Sequence, residues 1–474
     1  ELGDKGRAAS EAALLAWARR SLEPRWALAA VAGFALLPYV QIVFMWAYVD
    51  LGFAFFFALT CDRLSRRTSG STPLLGALCG LCMGTKAAGV FAPVLAGAVL
   101  VARRASLAPF AAACALLAAP WGARNWAFAG NPFAPFLASM LPTLYWGADN
   151  QARYGAELRS YQAAGGAHGG PLTGLFAHPW SATIRNLGVL DRGAGMGAWF
   201  LFALPLLLLL DAPAARLPAR LALGFFALWL LIPRQVRYLL PVWPAAALAS
   251  AHAVRALARR GGSSRFVVGA LGAMLALHLP MAFARQYVAR DPVPVVFGRE
   301  TVTSYLNRGV PGKPHSLRAR DWIAGHLHGR RFLVVSEYGM GMLWGPDAVI
   351  QSVFDTPLIE RFAREGRDAA QVARKFRQAG VAHVLYGLAG GFSMQPVYEI
   401  YHFDEGAAAR WRAFWSARAE LVHVEADRYL VFGVRGSPRV PARASVYPGL
   451  DEQWLGVLDR ALWDAGEKGT RGRD

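Results

Sequence analysis

Cysteine is scarce in this chain of 474 residues, which has four: Cys61, Cys79, Cys82 and Cys114. All four fall within apolar runs. The stretch "CGLC" at 79–82 has a C-x-x-C spacing, but no second pair and no histidine lies near it in the sequence. Metal and redox motifs need such companions, so we interpret these cysteines as small apolar residues that fill helix contacts.

Acidic residues are also few, because 31 Asp and Glu stand against 50 Lys and Arg, for a formal net charge of +19. Such an excess can indicate a nucleic-acid partner. The basic residues, however, occur in short connections between apolar runs, such as Arg63, Arg66 and Arg67 after one run and Arg103 and Arg104 after another. This placement is typical of the cytoplasmic loops of membrane proteins. We therefore expect no nucleic-acid partner.

Charge is almost absent from long stretches before residue 286 and frequent after it. The apolar stretches predict a polytopic α-helical membrane protein of about nine membrane segments, followed by a C-terminal periplasmic α/β domain. Several stretches are shorter than the ~20 residues of a full crossing, so we expect some to be tilted, broken or re-entrant. The nine segments are 26–44, 47–62, 73–86, 88–102, 107–121, 196–210, 219–233, 238–254 and 265–286.

The Arg-rich connections also predict an orientation. With those connections in the cytoplasm, the count of crossings leaves the C-terminal domain outside a bacterial inner membrane. The chain opens without Met or a signal peptide, and the apolar patch at 12–18 predicts the tail of a span whose beginning is absent. The predicted divisions are a cytoplasmic segment 1–25, a membrane domain 26–286 that includes an outer loop 126–195, and a periplasmic domain 287–474 with a flexible tail from about 436.

The C-terminal part alternates between strand and helix patterns. "RFLVVS" (331–336) and "AHVLYG" (382–387) predict buried strands, with further candidates at 349–353 and 428–434. "DAAQVARKFRQAG" (368–380) has helical spacing and ends in a glycine stop. This alternation predicts a small Rossmann-like layer. "YGMGMLWG" after the first strand lacks the full G-x-G-x-x-G, so we interpret it as a plain turn from strand to helix.

One acid stands alone in the apolar half of the chain, because Asp50 is the only charged residue between Trp26 and Cys61. A charge at the centre of a bilayer costs at least ~2.5–3.5 kcal/mol, so a chain rarely keeps one without a role. The predicted topology moves Asp50 to the outer end of the second segment, where water reduces that cost. An aspartate at the start of a helix can also be a cap, and this alternative stays open.

Cations and amides occur at the outer ends of the other segments. A site for a lipid phosphate needs cations to neutralise the anion and a carboxylate for acid–base or metal work. We therefore predict Asp50 as a catalytic residue with substrate-binding residues around it. The alternatives are that the cations are interfacial anchors, that the aromatic residues form a belt, and that "GNP" at 130–132 is only a turn. The predicted substrate-binding residues are Lys86, Arg124, Asn125, Asn131, Arg234, Arg237 and Tyr238.

Four motifs, in this order and spacing, resemble the GT-C superfamily of membrane glycosyltransferases: "AYVDLGFAFF", "GTKAAGVFAP", "PWGARNWAFAGNPFAPF" and "RYLLPVWP". The chain is similar to bacterial protein O-mannosyltransferases and lipid A aminoarabinose transferases over residues 8–390. Asp50 matches the second acidic position of this family, and Lys86 matches a lysine of the mannosyltransferase-like pattern. The family's main catalytic acid normally lies in the first outer loop, which the resemblance places before the start of this sequence. Inactivity of the chain as given is therefore an open outcome.

The resemblance implies an enzyme that moves a sugar from a polyprenyl-phosphate donor to a lipid, glycan or protein acceptor on the periplasmic face. A carboxylate would take the acceptor's proton while cations stabilise the departing lipid phosphate. Asp50 would orient the acceptor or hold a divalent cation, and membrane lipids would be further partners. A membrane transporter or lipid flippase is the competing interpretation, because charges within apolar segments suit both classes.

Overall fold

The computed structural model forms two compact units, one of helices and one with a sheet. Unit 1 comprises Glu1–Tyr145 and Ala156–Val288, and unit 2 comprises Trp146–Gly155 and Ala289–Asp474. The residues that the structure describes are 2–43, 49–66, 72–144, 146–163, 199–232, 235–283, 291–308, 317–336, 341–387, 401, 403–425 and 429–435.

The described part of unit 1 consists of helices and their connections. Three short 3₁₀ helices, Ala87–Val90, Pro213–Ala215 and Val236–Val242, stand between the α-helices. The α-helices are α1 (Leu2–Ala18), α2 (Pro24–Ala35), α3 (Pro38–Val43), α4 (Asp50–Ser65), α5 (Thr72–Thr85), α6 (Phe91–Ala102), α7 (Ala108–Ala129), α8 (Ala148–Ala163, whose second half belongs to unit 1), α9 (Trp199–Ala203), α10 (Leu206–Leu209), α11 (Arg216–Trp229), α12 (Trp243–Arg259) and α13 (Ser264–Phe283).

Helix α4 lies at the centre of unit 1 and contacts α1, α5, α6, α11 and α12. Its rings Phe53 and Phe57 pack on Phe225 of α11, with ring centroids 6.0 and 5.1 Å apart. Phe91 of α6 meets the same Phe225 ring at 5.4 Å in an edge-to-face arrangement. Such aromatic pairs add about 0.5–1.5 kcal/mol each beyond their buried area. Phe225 therefore joins three helices in one core.

Helices α5 and α7 approach each other through glycines. A Cβ atom at Gly76 would lie 2.0 Å from the carbonyl oxygen of Phe110, and one at Gly80 would lie 2.5 Å from that of Cys114. Real Cβ atoms do not come so close, so only glycine permits this contact between backbones. The spacing of four residues puts both glycines on one face of α5.

The prediction of nine membrane segments is wrong. Within the residues that the structure describes, no helix has both the length and the apolar character that crossing a membrane requires. Segment 26–44 divides between α2 and α3, and segment 196–210 includes the two short helices α9 and α10. The count of nine crossings falls with these segments, whereas the predicted orientation stays a prediction.

Prolines and polar turns account for the short helices in several of these segments. Pro38 and Pro205 each begin or precede a new short helix, and Pro241 lies in the 3₁₀ helix before α12. Proline removes a backbone donor and restricts the residue before it, so it ends a helix even within an apolar run. Helices α4, α5, α11 and α12 have 16, 14, 14 and 17 residues. At a rise of 1.5 Å per residue these reach about 21–26 Å, short of the ~30 Å hydrocarbon core.

Unit 2 contains a five-stranded sheet in the order β2-β1-β3-β5-β4. Strands β2, β1 and β3 are parallel, and β5 runs antiparallel to both β3 and β4. The elements of unit 2 after α8 are α14 (Val293–Val296), α15 (Val302–Arg308), α16 (Leu317–His326), β1 (Phe332–Val335), α17 (Gly341–Trp344), β2 (Ala348–Val349), α18 (Leu358–Glu365), α19 (Ala369–Gln378), β3 (His383–Gly387), α20 (Glu405–Arg418), β4 (Ala419–Glu425) and β5 (Tyr429–Val434).

The sheet is covered on both faces. Leu333 and Val335 of β1 pack with α18, α19 and α20 on one face, whereas Phe332 and Val334 pack with α16 on the other. Strands buried on both faces have no polar alternation, which explains the apolar runs at 331–336 and 382–387. Both of these predicted strands are confirmed. The predicted helix at 368–380 is confirmed as well, because Asp368 caps α19 by accepting a hydrogen bond from the backbone N–H of Gln371.

Other predictions for the C-terminal part have different outcomes. The candidate at 349–353 is a strand of two residues, β2, and the candidate at 428–434 is β5. Strand β4 was not predicted from the sequence. Residues 338–340 of "YGMGMLWG" and the tail from 436 lie outside the described residues, and α17 begins at Gly341.

Residues 146–155, far earlier in the sequence, also belong to unit 2. Trp146 and Tyr154 pack on the ring of Phe354, at 5.9 and 5.2 Å between centroids. The amide of Asn150 donates to Asp355 Oδ1 at 2.9 Å. The first half of α8 is therefore held to the sheet unit by both aromatic and polar contacts.

Candidate functional site

Asp50 is the first residue of α4, and it is 2% exposed. The helix cap is Val49, and no side chain makes a capping hydrogen bond there. The carboxylate of Asp50 is instead directed to another part of the chain, so the capping alternative is not what the structure shows. A negative charge in the first turn of a helix is favoured by the helix dipole, which offsets part of the cost of burial.

Lys86 supplies the charge partner of Asp50. Its Nζ forms an ion pair with Asp50 Oδ1. Lys86 follows the end of α5 in an extended conformation, immediately before the 3₁₀ helix Ala87–Val90. A Cβ at Gly89 would lie 2.0 Å from the carbonyl oxygen of Cys82, so a glycine is required where this turn folds back on α5. The tight turn sets the direction of the Lys86 side chain.

Tyr238 lies on the other side of the lysine. Lys86 Nζ is 4.0 Å from the centroid of the Tyr238 ring, which is a cation–π distance. Arg237, the neighbour of Tyr238, places its guanidinium carbon 5.3 Å from the same centroid. Burial raises the pKa of the Tyr238 phenol, and Arg237 opposes that rise while Asp50 and Glu157 add to it.

The 3₁₀ helix Val236–Val242 holds these two residues against α4. The indole of Trp229 donates a hydrogen bond of 2.9 Å to the carbonyl oxygen of Gln235, just before the turn. Val236, Leu239 and Leu240 of the turn are buried in the core of unit 1. Four of the predicted residues are thus brought together: Asp50, Lys86, Arg237 and Tyr238.

This arrangement has one buried carboxylate, two cations and a phenol. Lys86 contacts both a carboxylate and an aromatic ring. An anionic ligand that binds here would compete with both for the ammonium group. A phosphate group beside Lys86 and Arg237 would meet two positive charges, and charge-assisted hydrogen bonds of this kind are among the strongest in proteins. A proton acceptor, Asp50, would then lie beside the anion.

The other predicted residues lie elsewhere. Arg124 is exposed, and its guanidinium carbon is 5.3 Å from the Trp121 ring and 5.4 Å from the Phe128 ring of its own helix. Asn125 donates to the carbonyl oxygen of Pro132 at 3.4 Å. Within the described part of the chain, none of the contacts of these residues reaches Asp50. Arg234 lies outside the described residues.

Asn131 is fully buried and organises the loop after α7. Its amide donates to the carbonyl oxygen of Phe136 at 2.9 Å and to Thr143 Oγ1 at 3.1 Å. Its side-chain oxygen accepts from the backbone N–H of Phe133 at 2.8 Å. The structure therefore places this predicted substrate ligand inside a loop, as the turn alternative expected.

A second buried acid, Asp62, was missed from the sequence. Arg20 Nε is 2.9 Å from Asp62 Oδ1, and an Arg66 nitrogen is 2.6 Å from Oδ2. From the sequence alone, this arginine-rich stretch indicates only a membrane orientation. The signal was the position of Asp62 within "CDRLSRR", where an acid next to several arginines has a partner available.

In the part of the chain that the structure describes, no group of three or more His, Cys, Asp or Glu residues is placed to hold a metal ion. The four cysteines are free and buried. Burial raises the pKa of each of the four thiols. Thiols of this kind are unreactive.

Comparison with solved structures finds similar proteins at low identity. The crystal structure of ArnT from Cupriavidus metallidurans bound to undecaprenyl phosphate matches with a TM-score of 0.44 and 13% identity, over 91% of this chain and 83% of that one. The same protein in the apo state gives a TM-score of 0.45 and 13% identity, over 91% and 82%. The archaeal oligosaccharyltransferase AglB from Archaeoglobus fulgidus, in complex with an inhibitory peptide and a dolichol-phosphate, gives 0.45 and 13%, over 92% and 63%.

No protein-family model and no curated protein matches the chain. At this level of similarity, the geometry around Asp50 has to carry any conclusion about chemistry.

Proposed function

We propose that this protein is a glycosyltransferase that uses a polyprenyl-phosphate-linked sugar as donor and transfers the sugar to a lipid, glycan or protein acceptor. The observation that carries this proposal is the buried pair of Asp50 and Lys86, with Tyr238 and Arg237 beside the lysine. A buried ion pair is costly to keep, and replacement by apolar residues is often neutral or stabilising. Stability is therefore a weak explanation of this pair, and we attribute the pair to chemistry.

The proposed reaction is a single displacement at the anomeric carbon of the sugar. An acceptor oxygen forms a bond to that carbon as the bond between the carbon and the phosphate oxygen breaks. The acceptor's proton passes to the carboxylate of Asp50, which faces the acceptor. The electrons of the broken bond leave with the polyprenyl phosphate. Lys86 and Arg237 stabilise the charge that develops on this phosphate.

Lys86 has two states in this scheme. Without donor it neutralises Asp50, which makes burial of the carboxylate possible. When a lipid phosphate binds, the lysine shares its charge with the phosphate, and Asp50 becomes a better proton acceptor beside the reacting atoms. We place the reaction at the outer face of a bacterial inner membrane, where lipid-linked donors are available. A reporter fused after residue 288 that is active only in the cytoplasm would contradict this location.

The test is transfer of label from radiolabelled polyprenyl-phosphate sugars by the full chain in membranes. We expect label in a lipid, glycan or protein fraction, and loss of that transfer in Asp50→Asn. A matched control is Asp211→Asn, because Asp211 is an exposed acid of unit 1 whose partner Arg216 is also exposed. Movement of the labelled lipid across vesicles without transfer to any fraction would overturn the proposal in favour of a flippase.

A further inference from the structure

The end of α7 and the loop after it form a surface with almost no charge, which we define as residues 121–144. Between residues 105 and 148 the only charged side chain is Arg124, and the stretch contains no acid. Charged residues are 17% of the whole chain. A segment of this composition is expected inside a protein rather than on its surface.

The loop of this surface is built around a buried polar group. Asn131 makes its hydrogen bonds inward, to the backbone and to Thr143. The backbone N–H of Leu144 returns to the carbonyl oxygen of Ala129 at 2.9 Å, so the ends of the loop lie close together. Asn125 donates to the carbonyl oxygen of Pro132, which folds the loop back along α7. These contacts hold the loop in one conformation without a hydrophobic core of its own.

The apolar side chains point outward instead. Eight large hydrophobic residues of this surface are more than two-fifths exposed, with Met140 at 76% and Trp126 at 67%. Others that the argument uses are Phe128, Phe133, Phe136 and Leu144, all exposed. A loop in water normally has its polar groups outside. This loop has its polar side chain Asn131 inside and its apolar side chains outside. Contiguous exposed apolar surface of this kind marks a contact site.

Arg124 shows which kind of contact. Its guanidinium lies over the rings of Trp121 and Phe128, and among the residues that the structure describes it forms no ion pair with an acid. Tryptophan, phenylalanine and arginine on one surface are typical of segments that lie at the boundary between headgroups and acyl chains. A protein partner with complementary charge would instead require several charges on this surface to fix its position.

We propose that the surface 121–144 rests on a lipid membrane that contains anionic phospholipids, with its aromatic and aliphatic side chains among the acyl chains and Arg124 at the phosphate groups. This contact is an interfacial one, made by a loop and the end of one helix. It assigns to Arg124 a lipid headgroup as partner.

The test uses a fluorescent label that reports its depth in lipid. The full chain carries Met140→Cys with an environment-sensitive fluorophore, and it is transferred from detergent into vesicles of phosphatidylcholine and phosphatidylglycerol. The four native thiols are buried with raised pKa values, so the label goes to the introduced cysteine. We expect strong quenching when the phosphatidylcholine carries brominated acyl chains.

The matched control is Phe297→Cys in unit 2, whose side chain is 71% exposed, close to the value for Met140. We expect no quenching of this label by brominated lipid. Equal quenching at both positions, or none at position 140, would overturn the proposal. Fluorescence at position 140 that changes with protein concentration and not with brominated lipid would identify a second copy of the chain as the occupant, and would overturn it too.

A second measurement isolates Arg124. One basic residue near an anionic membrane surface contributes enough to change association by about fivefold. We expect Arg124→Gln to associate about fivefold more weakly with vesicles that contain phosphatidylglycerol, and equally well with pure phosphatidylcholine. An equal loss on both kinds of vesicle would contradict the assignment of the guanidinium to anionic headgroups.

Discussion

The two ends of α4 each bury an aspartate, yet the two acids have different surroundings. Asp62, near the C-terminal end, meets two arginines, Arg20 and Arg66, that are partly exposed. Asp50, at the N-terminal end, meets one lysine, and this lysine also lies on the Tyr238 ring. Both arginines donate hydrogen bonds to Asp62 Oδ2, and Arg20 Nε also lies 2.9 Å from Oδ1.

The difference shows how one residue type in one helix can have two roles. At the Asp62 end, solvent reaches the two arginines, whose side chains are 42% and 36% exposed. At the Asp50 end the lysine is largely buried and lies between an acid and a ring. Burial strengthens electrostatic interactions, so a ligand anion at this end would bind strongly. Substitutions at the two ends of α4 test whether the two acids differ in function and in stability.

The largest expected effect is on transfer. Neutralising both partners, with Asp50→Asn and Lys86→Met together, leaves no unpaired buried charge, so the protein folds. We expect sugar transfer per folded molecule to fall about 10²–10⁴-fold, because a general acid–base group is lost. The measurement is the initial rate of transfer, with thermal unfolding in parallel. Asp62→Asn is the control and retains its transfer rate per folded molecule. Normal transfer by the double variant would show that Asp50, like Asp62, has only a structural role.

The next effect is on stability. Lys86→Met alone leaves Asp50 buried without its partner lysine, and breaking a buried pair in this way costs about 3–5 kcal/mol. Arg20→Met leaves Asp62 with Arg66, and half-exposed pairs contribute about 1 kcal/mol or less. Denaturant unfolding of the two variants checks this. Equal losses would show that the two ends are equivalent in energy.

A pH effect is expected near the Asp62 end, where Ser21 follows Arg20 in sequence. The Ser21 hydroxyl lies 3.1 Å from His252 Nε2. Burial, followed by the charge of Arg255, lowers the pKa of His252 from 6.5 to about 4, while Glu23 opposes that shift. Because the folded pKa is depressed, the unfolded chain binds more protons between these two values. Stability from this group is therefore complete above pH 6.5 and is lost as the pH falls towards about 4, by roughly 3 kcal/mol.

His252→Gln should flatten the pH dependence of the melting temperature in that window. Glu23 titrates in a lower pH window than His252, because hydrogen bonding from Arg255 holds the pKa of Glu23 at about 2. This carboxylate contributes stability above its ordinary pKa of 4.5, and the contribution is lost as the pH falls towards about 2. An unchanged profile in His252→Gln would assign the pH effect to another group.

The smallest effect concerns the ring beneath Lys86. Tyr238→Phe keeps the aromatic face and should change stability little, whereas Tyr238→Leu removes the cation–π contact, which contributes about 0.5–2 kcal/mol. Unfolding measurements on both variants, with the Asp62 end unchanged, check this. Equal stability of the phenylalanine and leucine variants would show that the ring only fills space.

The two units differ in how much of their structure the sequence predicts. In unit 2 the strands at 331–336 and 382–387 and the helix at 368–380 were predicted, because burial on both faces and a capping aspartate leave local signals. In unit 1 the same kind of apolar run predicted membrane segments that the helices do not form. Hydropathy reports how apolar a stretch is, whereas Pro38, Pro205 and Pro241 decide where its helices begin and end.

Four candidate site residues named from the sequence lie together, and three others do not. Asn131 was named for its position in a motif, but its amide is used inside a loop. Arg124 was named as a cation at the same predicted membrane face, but its contacts are with Trp121 and Phe128 of its own helix. Asp62 was overlooked because its arginines were attributed to topology. In each case a partner distant in sequence decided the role.

By itself, the sequence determined that Asp50 would be an isolated acid in an apolar region, and that the strands of unit 2 would be buried on both faces. These are properties of composition and local pattern. Only the tertiary structure decided which cation meets that acid, because Asp50, Lys86 and Tyr238 come together through the packing of α4, the tight turn at Gly89 and the 3₁₀ helix Val236–Val242. Side chains separated by tens to more than a hundred residues have no pattern in the sequence that links them. Their contact depends on how the helices pack.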